Sequence, residues 1–152
     1  PRRHEAAGKD SRPGRRVEES DFSREKFRYK VGRESGLTDS TCLFCRIVSG
    51  EIPSEKVYED GEVVAFKDIR PAAPVHILVI PKVHIASLAS LEPAHAELAG
   101  RLVVAAANIA ASQGLAERGY RLVANCGNDG GQTVGHLHFH LLGGRQLTWP
   151  PG

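Results

Sequence analysis

The chain has 152 residues, 41% of them hydrophobic, and a formal net charge of +2, enough for one ordinary domain around one core. No apolar run approaches the roughly 18 residues that span a bilayer, and no basic segment leads into an apolar one as a secretory signal does. Three cysteines make a poor disulfide framework, so a reducing, cytoplasmic setting is expected. The charge is uneven: residues 1–40 carry 11 Lys/Arg against 8 Asp/Glu (+3), and residues 41–152 carry 9 against 10 (−1). A nearly neutral body argues against a broad nucleic-acid surface.

In chain order, residues 1–40 have few aliphatics, mixed charges and no sustained period; they are expected to form a disordered or weakly structured leader, with a short helix over Glu18–Tyr29. The folded domain is expected over 41–152. "LFCRIVSGEIP" suggests a short helical turn closed near Ser49-Gly50 and Pro53. "EKVYED" and "EVVAFKD" read as two strands around Asp60-Gly61, a hairpin signal. "VHILVIPK" is a third strand, closed by Pro81. An Ala/Leu-rich helical pattern runs from Pro93 to Gln113, with Gly114 as its stop. "YRLVANC" is a fourth strand, "GNDGGQTVG" a glycine-rich loop, and "HLHFHLLGG" a fifth strand. One long and one short helix with five hairpin-like strands predict an α+β fold with an antiparallel sheet.

The last strand carries the chemistry. In an extended chain, alternate residues share a face, so His136, His138 and His140 line one side. Leu137, Phe139 and Leu141 line the other and fit the core. The histidine face is expected to look onto a cleft or solvent. Two functional readings follow: a His-x-His metal site, or an imidazole nucleophile with neighbours that orient it and protonate a leaving group. The adjoining loop, with Gly127, Gly130 and Gly131 beside Gln132 and Thr133, favours the second, because such loops turn backbone N–H groups toward anions.

These motifs resemble the histidine triad (HIT) superfamily of nucleotide hydrolases and transferases. His136–Leu142 matches its His-φ-His-φ-His-φ-φ signature at every position, φ being apolar. The likeness covers about residues 42–152 and includes "AFKDIRPAAPVHILVIPKVHI" and "NDGGQTVGHLHFHLLGGR". The ending "GGRQLTWPPG" is similar to the Hint branch, the histidine triad nucleotide-binding proteins.

The resemblance implies a HIT-like fold in a homodimer with a shared sheet, and a purine nucleoside phosphoramidase activity. His138 would be the nucleophile at the α-phosphorus, forming a nucleotidyl-histidine that water resolves. Its second ring nitrogen would need an acceptor, usually a backbone carbonyl. His140 would contact the phosphate, with His136 and His76 in support. Asp68 would hold the ribose hydroxyls, an acceptor's task. Phe44, Ile47, Phe66 and Ile69 would wall the purine, while Asn125, Gly131, Gln132 and Thr133 would surround ribose and phosphate. Thr133 stands where the family more often has Ser and keeps the hydroxyl. Trp149 would reach the partner's site and shape leaving-group selectivity. The partners implied are a purine nucleotide and a second copy of the chain, with no nucleic acid and no membrane. No cofactor is required for the chemistry.

Cys42 and Cys45 form a C-x-x-C, which by itself leaves zinc, redox chemistry and plain burial open. Some bacterial HIT proteins and the related uridylyltransferases have a similar arrangement and bind structural zinc. By that likeness the ligands would be Cys42, Cys45, His84 and His136, a closed Cys₂His₂ set. Cys126 has no evident partner and is expected to be a buried strand residue.

Overall fold

In a computed structural model, residues 39–151 are described. The charged leader, except for Asp39 and Ser40, lies outside the described residues, and with it the helix expected over Glu18–Tyr29. The elements run α1 (Leu43–Val48), β1 (Lys56–Glu59), β2 (Val63–Lys67), β3 (Val75–Pro81), α2 (Ala96–Ser112), β4 (Tyr120–Val123) and β5 (Phe139–Gly143). The five strands form one sheet in the order β1-β2-β3-β5-β4, with every neighbouring pair antiparallel. This is the expected α+β architecture with one long and one short helix. No helix among the described residues is long and apolar enough to cross a membrane.

The hairpin between β1 and β2 forms where Asp60-Gly61 predicts it, but by another device. Gly61 does not take a positive φ. Instead the Asp60 carboxylate accepts the N–H groups of Glu62 and Val63 at 2.8 and 2.7 Å, an Asx-type closure. A 3₁₀ turn at Pro93–His95 feeds α2, and Gly114 at φ 71° ends the exit from that helix. A glycine tolerates that left-handed backbone without strain.

Both faces of the sheet are covered, because β2 and β3 are apolar at consecutive positions. Val63, Ala65, Ile77 and Val79 pack with Leu102, Ala105, Ala106, Ile109 and Ala110 of α2, whose spacing is that of one helical stripe. Val64, Phe66, Leu78 and Ile80 pack on the opposite face with Phe44, Cys45 and Ile47 of α1. The short helix therefore covers less of its face than the long one does. The side it leaves open is where the functional side chains collect.

The strand expected from His136 starts three residues later, at Phe139. The β3–β5 ladder ends at Val79 opposite Phe139. Extending it would bring Leu137 to Pro81, which has no N–H to give. Leu137 donates instead to the Ile85 carbonyl at 2.6 Å, and His136 to that of Val134 at 2.8 Å. The fourth strand is likewise shorter than "YRLVANC", ending at Val123. Cys126, expected in that strand, lies beyond it and is partly exposed.

Candidate active site and candidate metal centre

The alternation read from the sequence holds along the histidine segment although only His140 lies within the ladder. Leu137 and Leu141 go into the α2 core, and the three histidines point to the α1 face. His140 is half-buried, and it and His138 line the cleft described below, as the expected cleft-or-solvent aspect requires. That expectation is corrected for His136, which is 0% exposed and lies with His138, 4% exposed, beneath α1. The Phe44 ring meets both edge-on, with centroids 5.8 Å from His136 and 5.3 Å from His138.

A cleft of about 580 Å³ opens beside α1 and the end of β2. His138, His140, Asp68 and Thr133 supply polar groups to its lining; Phe44, Ile47, Phe66 and Ile69 supply apolar ones. Ile69 is 93% exposed in the single chain. Asn125, Gly131, Gln132 and Trp149 are not on the wall of this cleft. Gln132 braces the glycine loop instead. Its amide donates to the Ala86 and Val134 carbonyls at 2.7 and 2.9 Å and accepts the Gly127 N–H at 3.1 Å. Loop N–H groups of Gly131 and Gln132 are also spent inside the loop, on Asn128 and Gly127. At Gly130 an added Cβ would lie 2.3 Å from the Cys126 carbonyl oxygen, so the loop closes there only with glycine. Trp149 stands 85% exposed. Leu43, Ile52, Pro53, Leu78 and Val134 complete the apolar lining. Of these, Leu78 was accessible to sequence reasoning, since it shares a strand face with His76.

Ring protons follow from fixed partners. His138 Nδ1 lies 2.6 Å from the His136 carbonyl oxygen. A carbonyl only accepts, so Nδ1 carries the hydrogen and Nε2 keeps a free lone pair. His76 is oriented the opposite way: its Nδ1 accepts the Ala72 N–H at 3.1 Å, which puts its hydrogen on Nε2. That N–H donates to His140 Nδ1 at 2.9 Å, leaving the hydrogen of His140 on Nε2. The pair thus presents an N–H donor, and His138 presents a nucleophilic nitrogen. Asp68 Oδ2 lies 3.5 Å from His76 Nε2, while Oδ1 accepts the Arg70 N–H at 2.7 Å.

Burial holds the His140 and His76 rings neutral. It pushes His140 down to about 4, helped by His138 and His76 and opposed by Asp68. It also lowers His76 against the attraction of Asp68. The unfolded-state value is about 6.5, so protons favour the unfolded chain. Stability from His140 is complete above pH ~6.5 and is lost as the pH falls toward 4. Thermal melts are expected to show a flat Tm above pH ~7 and a decline below ~6.5, shallower in His140→Asn. An equal slope in the variant would disprove the assignment.

Asp68, His76 and His140 each bring a ligand atom within 4.8 Å of the others, yet the set suits a proton relay better than a metal. The Ala72 N–H keeps the His76 hydrogen on Nε2, the nitrogen that faces the other two groups.

A second cluster adjoins His138 through His136. Cys42, Cys45, His84 and His136 hold their Sγ and Nδ1 atoms within 4.8 Å of one another. The measured separations are 3.4 Å for Cys42–His136, 3.3 Å for Cys45–His84 and 3.6 Å for Cys45–His136. Tetrahedral zinc, with bonds of about 2.0–2.3 Å, spaces its ligand atoms by about 3.3–3.8 Å. The His136 Nε2–H donates to the Pro81 carbonyl at 2.9 Å, freeing Nδ1 for the cluster as a supporting shell does. Burial lowers His136 to about 4 and raises Cys45 to about 11. The imidazole is therefore neutral, and a metal would draw the proton from the thiol. The donor set fits zinc, and these are the four residues named from the sequence.

The sequence pattern of the HIT domain matches residues 49–147. The chain is 52% identical to the 14 kDa zinc-binding protein of Zea mays over 118 residues, 76% of this chain and 91% of that protein. It is 50% identical to the Adenylylsulfatase HINT1 of Arabidopsis thaliana over 117 residues, 76% of this chain and 79% of that one. Among solved structures, a HIT family hydrolase from Legionella pneumophila superposes with a TM-score of 0.72 at 53% identity. That match covers 73% of this chain and 99% of the other.

Proposed function

Because the chain belongs to the HIT domain family, we propose that it hydrolyses purine nucleoside 5′-phosphoramidates and related nucleotidyl conjugates, aminoacyl-adenylates among them, to the nucleoside monophosphate. The observation that carries this is the pairing of opposite tautomers on one cleft: a bare Nε2 on His138 beside an Nε2–H on His140. His138 Nε2 attacks the α-phosphorus and forms a P–N bond as the bond to the leaving amine breaks. His140 Nε2–H donates a hydrogen bond to the leaving nitrogen, which departs as the amine with a proton taken from solvent. Water then attacks the nucleotidyl-histidine, gives a proton up to solvent, and releases the monophosphate and free His138. Asp68 binds the ribose hydroxyls, and Phe44, Ile47, Phe66 and Ile69 enclose the base. Thr133 reaches the phosphate from the cleft wall. Asn125, Gly131 and Gln132 shape the loop behind it, with Gln132 acting through its brace.

The zinc-binding name of the maize relative supports zinc at Cys42, Cys45, His84 and His136. There it would cross-link α1 to the histidine segment and take no part in the reaction. A homodimer is supported by the free edge of β4 and by Val103 and Val104, exposed on α2. Trp149 would then act at the partner's cleft.

The Arabidopsis relative's name favours a second reading, hydrolysis of adenylyl sulfate. The two differ in the leaving group: an amine needs a proton, whereas sulfate leaves as a stable anion. Protein assayed with adenosine 5′-phosphoramidate, adenylyl sulfate and diadenosine polyphosphates is expected to release AMP fastest from the phosphoramidate, and to sediment at twice the chain mass. His140→Asn is expected to slow the phosphoramidate about 10²-fold and the sulfate much less. Preferential cleavage of the dinucleotides overturns the reading in favour of a dinucleoside polyphosphate hydrolase.

A further inference from the structure

The hydrogen that His140 offers to the cleft depends on one backbone N–H, that of Ala72, and this group sits in the exposed turn Pro71–Pro74 rather than in the sheet. A turn of that kind needs a support. The end of β5 supplies one at two points. Arg145 donates through one guanidinium nitrogen to the Ala72 carbonyl at 3.1 Å and through another to its neighbour's carbonyl, Gln146, at 3.0 Å. Next to it, Gly144 takes φ 87°, and a Cβ there would lie 2.9 Å from the Pro74 Cβ. Arg145 itself does not line the nucleotide cleft, so it has no route to a substrate there except through the turn.

The geometry points to Arg145 as a positioning residue that sets the tautomer of the His76–His140 pair. The chain of contacts runs from the Arg145 guanidinium to the Ala72 carbonyl, then from the Ala72 N–H to His76 Nδ1. It continues from His76 Nε2–H to His140 Nδ1, and ends with the His140 Nε2–H. If the turn swings away, His76 Nδ1 loses its donor and the ring is free to place its hydrogen there. His76 Nε2 then becomes an acceptor, His140 must turn its own hydrogen inward to Nδ1, and no donor faces the cleft. Gly144 serves the same clamp, because any side chain at that position pushes against Pro74. The "GGR" beside the ending is thereby tied to the hydrogen-bond donor that faces the cleft, a role that no property of a terminal tail supplies. The kinetic part of this inference rests on the proposed phosphoryl chemistry; the tautomeric part does not.

The test measures ring nitrogens directly, by ¹⁵N-resolved histidine spectra of wild type, Arg145→Ala, Arg145→Lys and Gly144→Ala at pH 7.5. In wild type, His76 and His140 are expected to show protonated Nε2 and bare Nδ1. Arg145→Ala and Gly144→Ala are expected to show mixed tautomers at both rings, and Arg145→Lys, which keeps one donor for Ala72, to restore most of the wild-type pattern. With an amine leaving group, Arg145→Ala is expected to lose about 10-fold in kcat with little change in KM, since only part of the donor's contribution to the leaving group is removed. Wild-type tautomers retained in both Arg145→Ala and Gly144→Ala overturn the assignment, whatever the activities. A wild-type protein with these tautomers but no phosphoramidate turnover overturns the proposed substrate and leaves the clamp standing.

Discussion

Replacing His138 with asparagine is expected to lower phosphoramidate turnover by at least about 10⁴-fold, the scale on which removal of an enzyme's nucleophile acts. The ring has one productive orientation. Its Nδ1–H is held by the His136 carbonyl at 2.6 Å, and Phe44 fixes its plane edge-on at 5.3 Å between centroids. Only Nε2 is then left to meet a phosphorus atom in the cleft. Asparagine can keep the hydrogen bond to that carbonyl through its amide, so the loss should be chemical rather than structural. Its Tm should accordingly stay within a few degrees of wild type. Rapid quenching of wild type with substrate, followed by mass spectrometry, is expected to find a nucleotidyl group on His138. An active His138→Asn protein would remove the nucleophile assignment, and a label on another histidine would relocate it.

Removing the metal is the second large effect expected. Chelation, or Cys42→Ser combined with Cys45→Ser, should release one zinc per chain and lower Tm by about 10–20 °C. That shift corresponds to roughly 3–5 kcal/mol for a domain of this size. The domain is expected to survive the loss. Without metal the Cys45 thiol stays protonated, being raised to about 11, and can donate to the same imidazole nitrogens at 3.3–3.6 Å. No bare charge is left buried. Catalysis should still fall, because His136 is shared: its ring sits in the cluster and its carbonyl orients His138. Loosening one loosens the other. Metal counted by plasma emission, with melts before and after chelation, decides the matter. Purified protein with no zinc and a Tm indifferent to chelator would end the claim.

The reading of the chain was most secure where the required pattern is local. The period-2 alternation of His136 to Leu142 needs only an extended backbone, and it persists even where the ladder has stopped. The stripe of Leu102, Ala105, Ala106, Ile109 and Ala110 is likewise a one-helix property. Strand ends were less legible because they depend on the partner: β5 begins at Phe139 since Pro81 stands opposite the position that would extend it. The cleft-or-solvent aspect given to the histidines failed at His136 for a related reason. Nothing within "HLHFH" says that α1, some ninety residues earlier, lies over His136 and His138.

The sequence by itself determined the elements and the α+β class, through residue type and short spacing. Through its resemblance to the family it also named the four residues of the Cys/His cluster and most of the groups that line the cleft. Only the tertiary structure decided which nitrogen of each histidine holds its hydrogen, because distant partners fix that hydrogen in place. The His136 carbonyl leaves His138 Nε2 bare, the Pro81 carbonyl turns His136 Nδ1 toward the thiols, and the Ala72 N–H, acting through His76, leaves the His140 hydrogen on Nε2. Four rings of the same chemistry, His76 among them, receive their hydrogen placements from backbone groups that no linear motif displays.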